Sequence, residues 1–108
     1  MKIANYRVLH TAGGTDYFLR ATIELYDEGK KEIGRLNFYK KPSDVEANPA
    51  TKAPSGYMAF SYPSEQYSDV LDLLRNEGPV YLNFKKVADN LNIGYLSTDR
   101  EPVGEGDL

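Results

Sequence analysis

The stretch that decides the fold is "YFLRATIELY", residues 17–26, in which apolar and polar side chains alternate. One face carries Tyr17, Leu19, Ala21, Ile23 and Leu25. The other face carries Arg20, Thr22 and Glu24, with Phe18 and Tyr26 at its two ends. A period of two residues is typical of a β-strand that is buried on one face only. The stretch therefore predicts a half-buried strand.

Turns flank this strand on both sides. "AGGTD" (12–16) precedes it and "DEGKK" (27–31) follows it, and glycine supplies the positive φ that tight turns need. The turns join it to the extended segments 3–11 and 32–41, and three strands linked in this way are antiparallel neighbours in most topologies. Gly34, inside the third strand, predicts a bulge or a close backbone approach.

The second half of the chain predicts a strand at 57–63, a helix at 64–78 and two strands at 80–86 and 93–98. The helix has apolar residues at helical spacing, namely Tyr67, Val70, Leu71 and Leu74. The order βββ-loop-β-α-ββ predicts an α+β domain, with a curled antiparallel sheet or small open barrel of about six strands and one helix. This order is close to that of the OB-fold, except for the extra strand before the helix.

We expect a single domain over residues 1–100 and a C-terminal tail over 101–108, because 108 residues are typical of one domain. The loop 42–56, rich in proline and alanine, is interpreted as a surface loop or a functional flap. The tail is interpreted as frayed after Pro102, or as a turn that packs Val103 against the sheet.

Composition excludes several classes of function. The chain has no cysteine, which excludes a disulfide frame, a thiolate nucleophile and a Cys-based zinc site. It has no apolar run of membrane-spanning length and no signal-peptide core, so we expect a cytoplasmic protein without a membrane partner. The net charge of -3 disfavours binding to duplex nucleic acid.

Catalytic constellations are missing from the sequence pattern. His10 is the single histidine, and no nucleophile-elbow or phosphate-loop motif accompanies it. Asp69 and Asp72 share a helix face and leave a small carboxylate-dependent enzyme as an alternative, although their position beside the apolar stripe indicates a solvated flank. We assign no catalytic residue, metal ligand or cofactor, and the sequence favours a non-catalytic role.

Two similar segments, "RLNFYKK" (35–41) and "YLNFKKV" (81–87), suggest a binding surface. The structural interpretation is simple alternation with lysines that discourage edge pairing. The functional interpretation is a shared basic edge, since lysines beside stacking aromatic rings hold single-stranded nucleic acid or a nucleotide. The candidate binding residues are Tyr39, Lys40, Lys41, Tyr81, Lys85 and Lys86.

Aromatic residues are abundant, with nine tyrosines and four phenylalanines. Phe18 and Tyr26 fall on the face opposite the apolar stripe, so either both sheet faces are covered or an aromatic surface is offered to a partner. We therefore expect an interaction or ligand-binding module that acts with a protein partner or as a homodimer, with Phe18 and Tyr26 as candidate interface residues.

The segments "DLLRNEGPVYLNF" (72–84) and "GYLSTDREPVGEGD" (94–107) carry a family resemblance. They resemble a small family of bacterial proteins with a leucine-rich helix ending in R-N-E, a P-V-Y-L strand and an E-P-V-G-E-G tail. The resemblance implies a bacterial domain. It transfers no functional residue, because no activity is known for that family.

Overall fold

The computed structural model describes residues 1–14, 17–45 and 49–99. The predicted tail, 101–108, lies outside the described residues. Within the described ranges the chain forms eight strands, one α-helix and two short 3-10 helices, Pro42–Asp44 and Ser64–Gln66. The strands are β1 (Lys2–Ile3), β2 (Asn5–His10), β3 (Leu19–Tyr26), β4 (Glu32–Tyr39), β5 (Ala50–Lys52), β6 (Met58–Pro63), β7 (Val80–Ala88) and β8 (Leu91–Thr98), and the helix is α1 (Tyr67–Asn76).

The strands form two sheets, one of five strands in the order β2-β3-β4-β6-β5 and one of three in the order β1-β7-β8. Ala4 alone separates β1 from β2, so the N-terminal strand passes from one sheet into the other. The described sheets are open rather than closed into a barrel. The predicted α+β class is confirmed, and the one α-helix lies between β6 and the final strand pair, β7 and β8, as expected.

Strand pairing confirms the antiparallel order of β2, β3 and β4, with Ile23 opposite both Val8 and Leu36. The pairing of β4 with β6 is different, because these strands are parallel and Leu36 lies opposite Phe60. Parallel neighbours need a crossover connection. The segment interpreted as the loop 42–56 provides that connection, and it contains the strand β5, which forms a hairpin with β6.

The core forms where the apolar face of β3 meets the helix and the smaller sheet. Ile23 and Leu25 of β3 are fully buried, as are Leu36 and Phe38 of β4. They belong to one cluster with Val70 and Leu74 of α1 and with Val80 and Leu82 of β7. The predicted core face is confirmed from Ala21 to Leu25, but the expectation of a strand buried on one face only is wrong there, because Thr22 and Glu24 on the opposite face are buried as well. Burial of Ile23 and of Leu25 contributes about 1.5–3 kcal/mol of transfer free energy each.

Tyr17 departs from the predicted alternation. It was expected on the core face, but it lies before the start of β3 and 41% of it is exposed. The register between β3 and β4 shifts between Leu19 and Ala21. Because such an irregularity breaks the period of two, the residues before it no longer follow the core stripe.

Two glycines allow the sheets to approach each other closely. A Cβ atom on Gly34 would lie 2.7 Å from Leu82 Cδ2 and 2.7 Å from the backbone oxygen of Met58. A Cβ atom on Gly94 would lie 2.2 Å from Cε1 of the Phe60 ring. The close approach predicted at Gly34 is confirmed, and Gly94 provides the equivalent contact on β8.

We predict that Gly94→Ala destabilises the fold by about 1–3 kcal/mol, since the added methyl group must displace the buried Phe60 ring. Urea denaturation monitored by circular dichroism measures the change in the free energy of unfolding. Gly29→Ala is the matched control, because its methyl group would meet only the end of the Asp27 side chain. Equal stability of the two variants would contradict the proposed packing.

Candidate functional site

Three aromatic rings lie together at one end of the five-stranded sheet. The rings of Phe18 and Tyr39 stack with centroids 5.7 Å apart and planes 10° apart, and the Tyr17 ring lies 5.0 Å from that of Phe18. Phe18 is 50% exposed, and Tyr17 is also exposed. We call Tyr17, Phe18 and Tyr39 the aromatic surface.

The aromatic surface is positioned by the β3–β4 ladder. Leu19 lies opposite Tyr39, and the backbone N–H of Lys40 donates a hydrogen bond of 2.8 Å to the carbonyl oxygen of Phe18. That bond extends the ladder beyond the end of β4. Backbone pairing between the two chain segments therefore fixes the positions of Phe18 and Tyr39 beside each other at the end of the sheet.

The predicted basic edge is divided between the two sheets. Tyr39 ends β4 of the larger sheet and Lys40 and Lys41 follow it, whereas Tyr81, Lys85 and Lys86 belong to β7 of the smaller sheet. The structure thus places Tyr39, Lys40 and Lys41 on one sheet and the β7 residues on the other.

The β7 candidates lie along the β7–β8 ladder. Tyr81 is half-buried opposite Ser97, and burial together with a hydrogen bond to Asp99 raises the pKa of its hydroxyl. Lys85 and Lys86 are exposed and lie opposite Ile93 and Asn92 near the hairpin turn.

The two candidate interface residues have different surroundings. Phe18 lies in the aromatic surface with its ring half-exposed. Tyr26 is partly buried, and its hydroxyl donates a hydrogen bond of 2.8 Å to Glu24. Tyr26 therefore takes part in a polar network of the sheet itself.

That network lies on the face of the five-stranded sheet opposite the core, and it was not foreseen from the sequence. Glu24 on β3 is only 6% exposed, because Arg7 of β2 and Arg35 of β4 lie directly opposite it. Arg7 Nη2 is 2.6 Å from Glu24 Oε1, and Arg35 Nη2 is 3.4 Å from Glu24 Oε2. The network continues through Arg35 to Glu32, which accepts a hydrogen bond from the Tyr57 hydroxyl.

The charges in this network stabilise one another. The hydrogen bond from Tyr26, with further contributions from Arg7 and Arg35, lowers the pKa of Glu24 although its burial acts in the opposite direction. Burial, followed by the hydrogen bond to Glu32, raises the pKa of Tyr57 to about 12. At neutral pH Glu24 is ionised and Tyr57 is protonated, which indicates a structural cross-strand network rather than an acid–base pair.

The other titratable candidates have local partners or lie in solvent. His10 Nε2 is 2.9 Å from the Tyr67 hydroxyl oxygen, and the two rings make an edge contact. Asp72 pairs with Arg75 at 2.7 Å, and Asp69 is exposed. Within residues 1–14, 17–45 and 49–99, no three His, Cys, Asp or Glu side chains are grouped closely enough to hold a metal ion.

Comparison with protein-family models, with curated proteins and with solved structures gave no match for this chain. The resemblance of the C-terminal segments to a small bacterial family therefore stays a prediction from the sequence. No helix in the described part of the chain is long and apolar enough to cross a membrane.

We predict that Glu24→Gln destabilises the fold by about 1 kcal/mol at pH 7, because two arginines and a tyrosine lose a charged acceptor that solvent only partly screens. The pKa of Glu24 is lower in the folded chain than in the unfolded chain. Its contribution is therefore complete above the unfolded pKa and is lost as the pH falls through the folded pKa. Urea midpoints of both proteins at a series of pH values should converge in acid.

The matched control for this prediction is Asp72→Asn, which breaks an ion pair whose two side chains are both 55% exposed. We expect it to change stability by at most a few tenths of a kcal/mol. A constant difference between wild type and Glu24→Gln from neutral to acid pH would contradict the role assigned to the ionised carboxylate.

Proposed function

We propose that this protein is a non-catalytic interaction module that binds a protein partner through the aromatic surface. The observation that carries the proposal is the stacked, half-exposed pair of Phe18 and Tyr39, extended by Tyr17. Aromatic side chains bury a large area on binding at a low cost in side-chain entropy, and they dominate protein interfaces. The most suitable partner presents apolar or proline side chains to the flat faces of these rings.

The backbone around the aromatic surface supports this role. Phe18 and Tyr39 are joined across the ladder by the Lys40–Phe18 hydrogen bond, so the two rings are already ordered before a partner arrives. Preordered rings lower the entropic cost of association. The absence of cysteine fits a reducing compartment, and we propose that the module acts in the cytoplasm.

A second candidate function is the binding of single-stranded nucleic acid or a nucleotide at the same surface. It is favoured by the stacked, nearly parallel Phe18 and Tyr39 rings, which bases can stack on, and by Lys40 and Lys41, which follow Tyr39 in the sequence. The overall charge of -3 weighs against it, since the phosphate contribution to affinity depends on a basic surface.

We predict that peptides selected from a random displayed library against the wild-type chain bind Phe18→Ser at least tenfold more weakly, because Phe18 is central in the aromatic surface. The affinities of the selected peptides, made synthetically, for the wild type and for each variant are measured by isothermal titration calorimetry. The matched control is Leu9→Ser, which removes an apolar side chain of similar exposure, 42%, from β2. Selected peptides that bind both variants equally well would contradict the proposal.

The two candidate functions are separated by a labelled single-stranded oligothymidylate at low salt, where the phosphate contribution is strongest. The interaction module should show no saturable binding in fluorescence anisotropy. Saturable binding that is lost in Phe18→Ser and in Tyr39→Ser, but kept in Leu9→Ser, would instead establish the second candidate.

A further inference from the structure

A groove with a volume of about 310 Å³ lies between α1 and β8. Val70 and Leu73 of α1 line one side of it, and Gly94 and Leu96 of β8 line the other. Tyr62 of β6 lines it as well, so three elements surround the groove. Its volume lies at the lower end of the range for small-molecule sites, about 300–1,000 Å³, and its lining is mostly apolar, as in such sites.

Two residues that line the groove have polar groups without a partner among the described residues. Asp69, in the first turn of α1, is exposed, and its carboxylate makes no ion pair or hydrogen bond there. Tyr62 is partly buried, and its hydroxyl group likewise has no hydrogen-bond partner there. In contrast, the carboxylate of Asp72 pairs with Arg75 at 2.7 Å, and Asp72 does not line the groove.

The charge on the helical side of the groove is negative. Residues 64–77, which include α1, have four acidic residues and one basic residue. An acidic residue in the first turn stabilises the positive end of the helix dipole, and this accounts for an acid at position 69. It does not account for a groove that combines the carboxylate of Asp69 with apolar walls. Such a combination is complementary to a ligand that is both cationic and apolar.

We propose that the groove between α1 and β8 binds a small organic cation, with an ammonium group at Asp69 and a hydrocarbon body along Leu73 and Leu96. An anion would be repelled by the carboxylate, and a neutral apolar molecule would displace water from it without replacing the lost hydrogen bonds. An ammonium group supplies the missing partner, and the faces of the Tyr62 and Tyr95 rings attract it as well. Burial raises the pKa of Tyr62, so its hydroxyl group is neutral at pH 7 and adds no charge to the groove.

This site does not depend on the proposed function. The aromatic surface lies at the end of the β3–β4 ladder, whereas the groove is lined by residues of β6, α1 and β8. We therefore expect Phe18→Ser to keep the wild-type affinity for the cation. A chain that binds no peptide through Phe18 can still bind the cation at Asp69, so the two proposals fail separately.

The test is a nuclear magnetic resonance titration of the isotope-labelled chain at low salt with hexylamine, hexanol and hexanoate, which share a hydrocarbon chain and differ in charge. Hexylamine should cause saturable amide shifts at Leu73 and from Gly94 to Leu96, on the two sides of the groove. We expect hexanol and hexanoate to bind at least about fivefold more weakly, because only the ammonium group pairs with Asp69. Asp69→Asn should bind hexylamine as weakly as the wild type binds hexanol.

Asp72→Asn is the matched control, since it removes a carboxylate of the same helix that does not line the groove, and it should bind hexylamine as the wild type does. Circular dichroism and urea midpoints verify that each variant is folded. Equal affinities of the wild type for hexylamine and hexanol, an unchanged affinity in Asp69→Asn, or titrations without saturable shifts would each overturn the proposal. Hexylamine shifts centred on Phe18 and Tyr39 would also overturn it, as would binding of a lysine-containing peptide without binding of the free amine.

Discussion

The close approach of the two sheets at Gly34 and Gly94 is the constraint on which the remaining structure depends. Leu82 packs against the backbone at Gly34, and the Phe60 ring packs against the backbone at Gly94. These contacts bring β7 and β8 onto the apolar face of the five-stranded sheet, and α1 adds Val70 and Leu74 to the same cluster. A side chain at either glycine would separate layers whose interior is packed at crystal-like density.

With the core on one face, the other face of the five-stranded sheet is left to polar groups. Glu24 at its centre is covered by arginines from both neighbouring strands and by Tyr26, which explains how a carboxylate is buried opposite the core. The network occupies the middle of that face. Phe18 and Tyr39 lie beyond the register shift at the end of the β3–β4 ladder, where their rings stack and stay exposed to solvent. The exposed rings are therefore available for a partner without loss of core packing.

A strand in this stretch was predictable because the alternating pattern of Ala21, Ile23 and Leu25 has one physical explanation, but the burial of Thr22 and Glu24 on its other face was not. The helix followed in the same way from the spacing of Val70 and Leu74. The parallel pairing of β4 with β6 could not be predicted, since the crossover depends on the three-residue strand β5, which has little local signal. The local pattern of side chains predicts that a strand forms, whereas the order of the strands in the sheet depends on packing between distant segments.

The candidate site was predictable to a similar extent. Phe18 was identified from the polar face of the alternation, and Tyr39 from its position beside lysines at a strand end. Their stacking could not be predicted, because it depends on the register of β3 against β4 and on the shift in that register between Leu19 and Ala21. The contact of Glu24 with Arg7 and Arg35 likewise depends on the register of three strands, although the sequence pattern places each residue on a polar face.

The central claim, that the aromatic surface is the contact surface of this protein, is tested most directly by a nuclear magnetic resonance titration. Amide shifts of the labelled chain are followed while a peptide selected for binding is added. The largest shifts should fall on Phe18 and Leu19 and on Tyr39 to Lys41, which surround the stacked rings. Shifts confined to β7 and β8, with none at Phe18 or Tyr39, would contradict the claim.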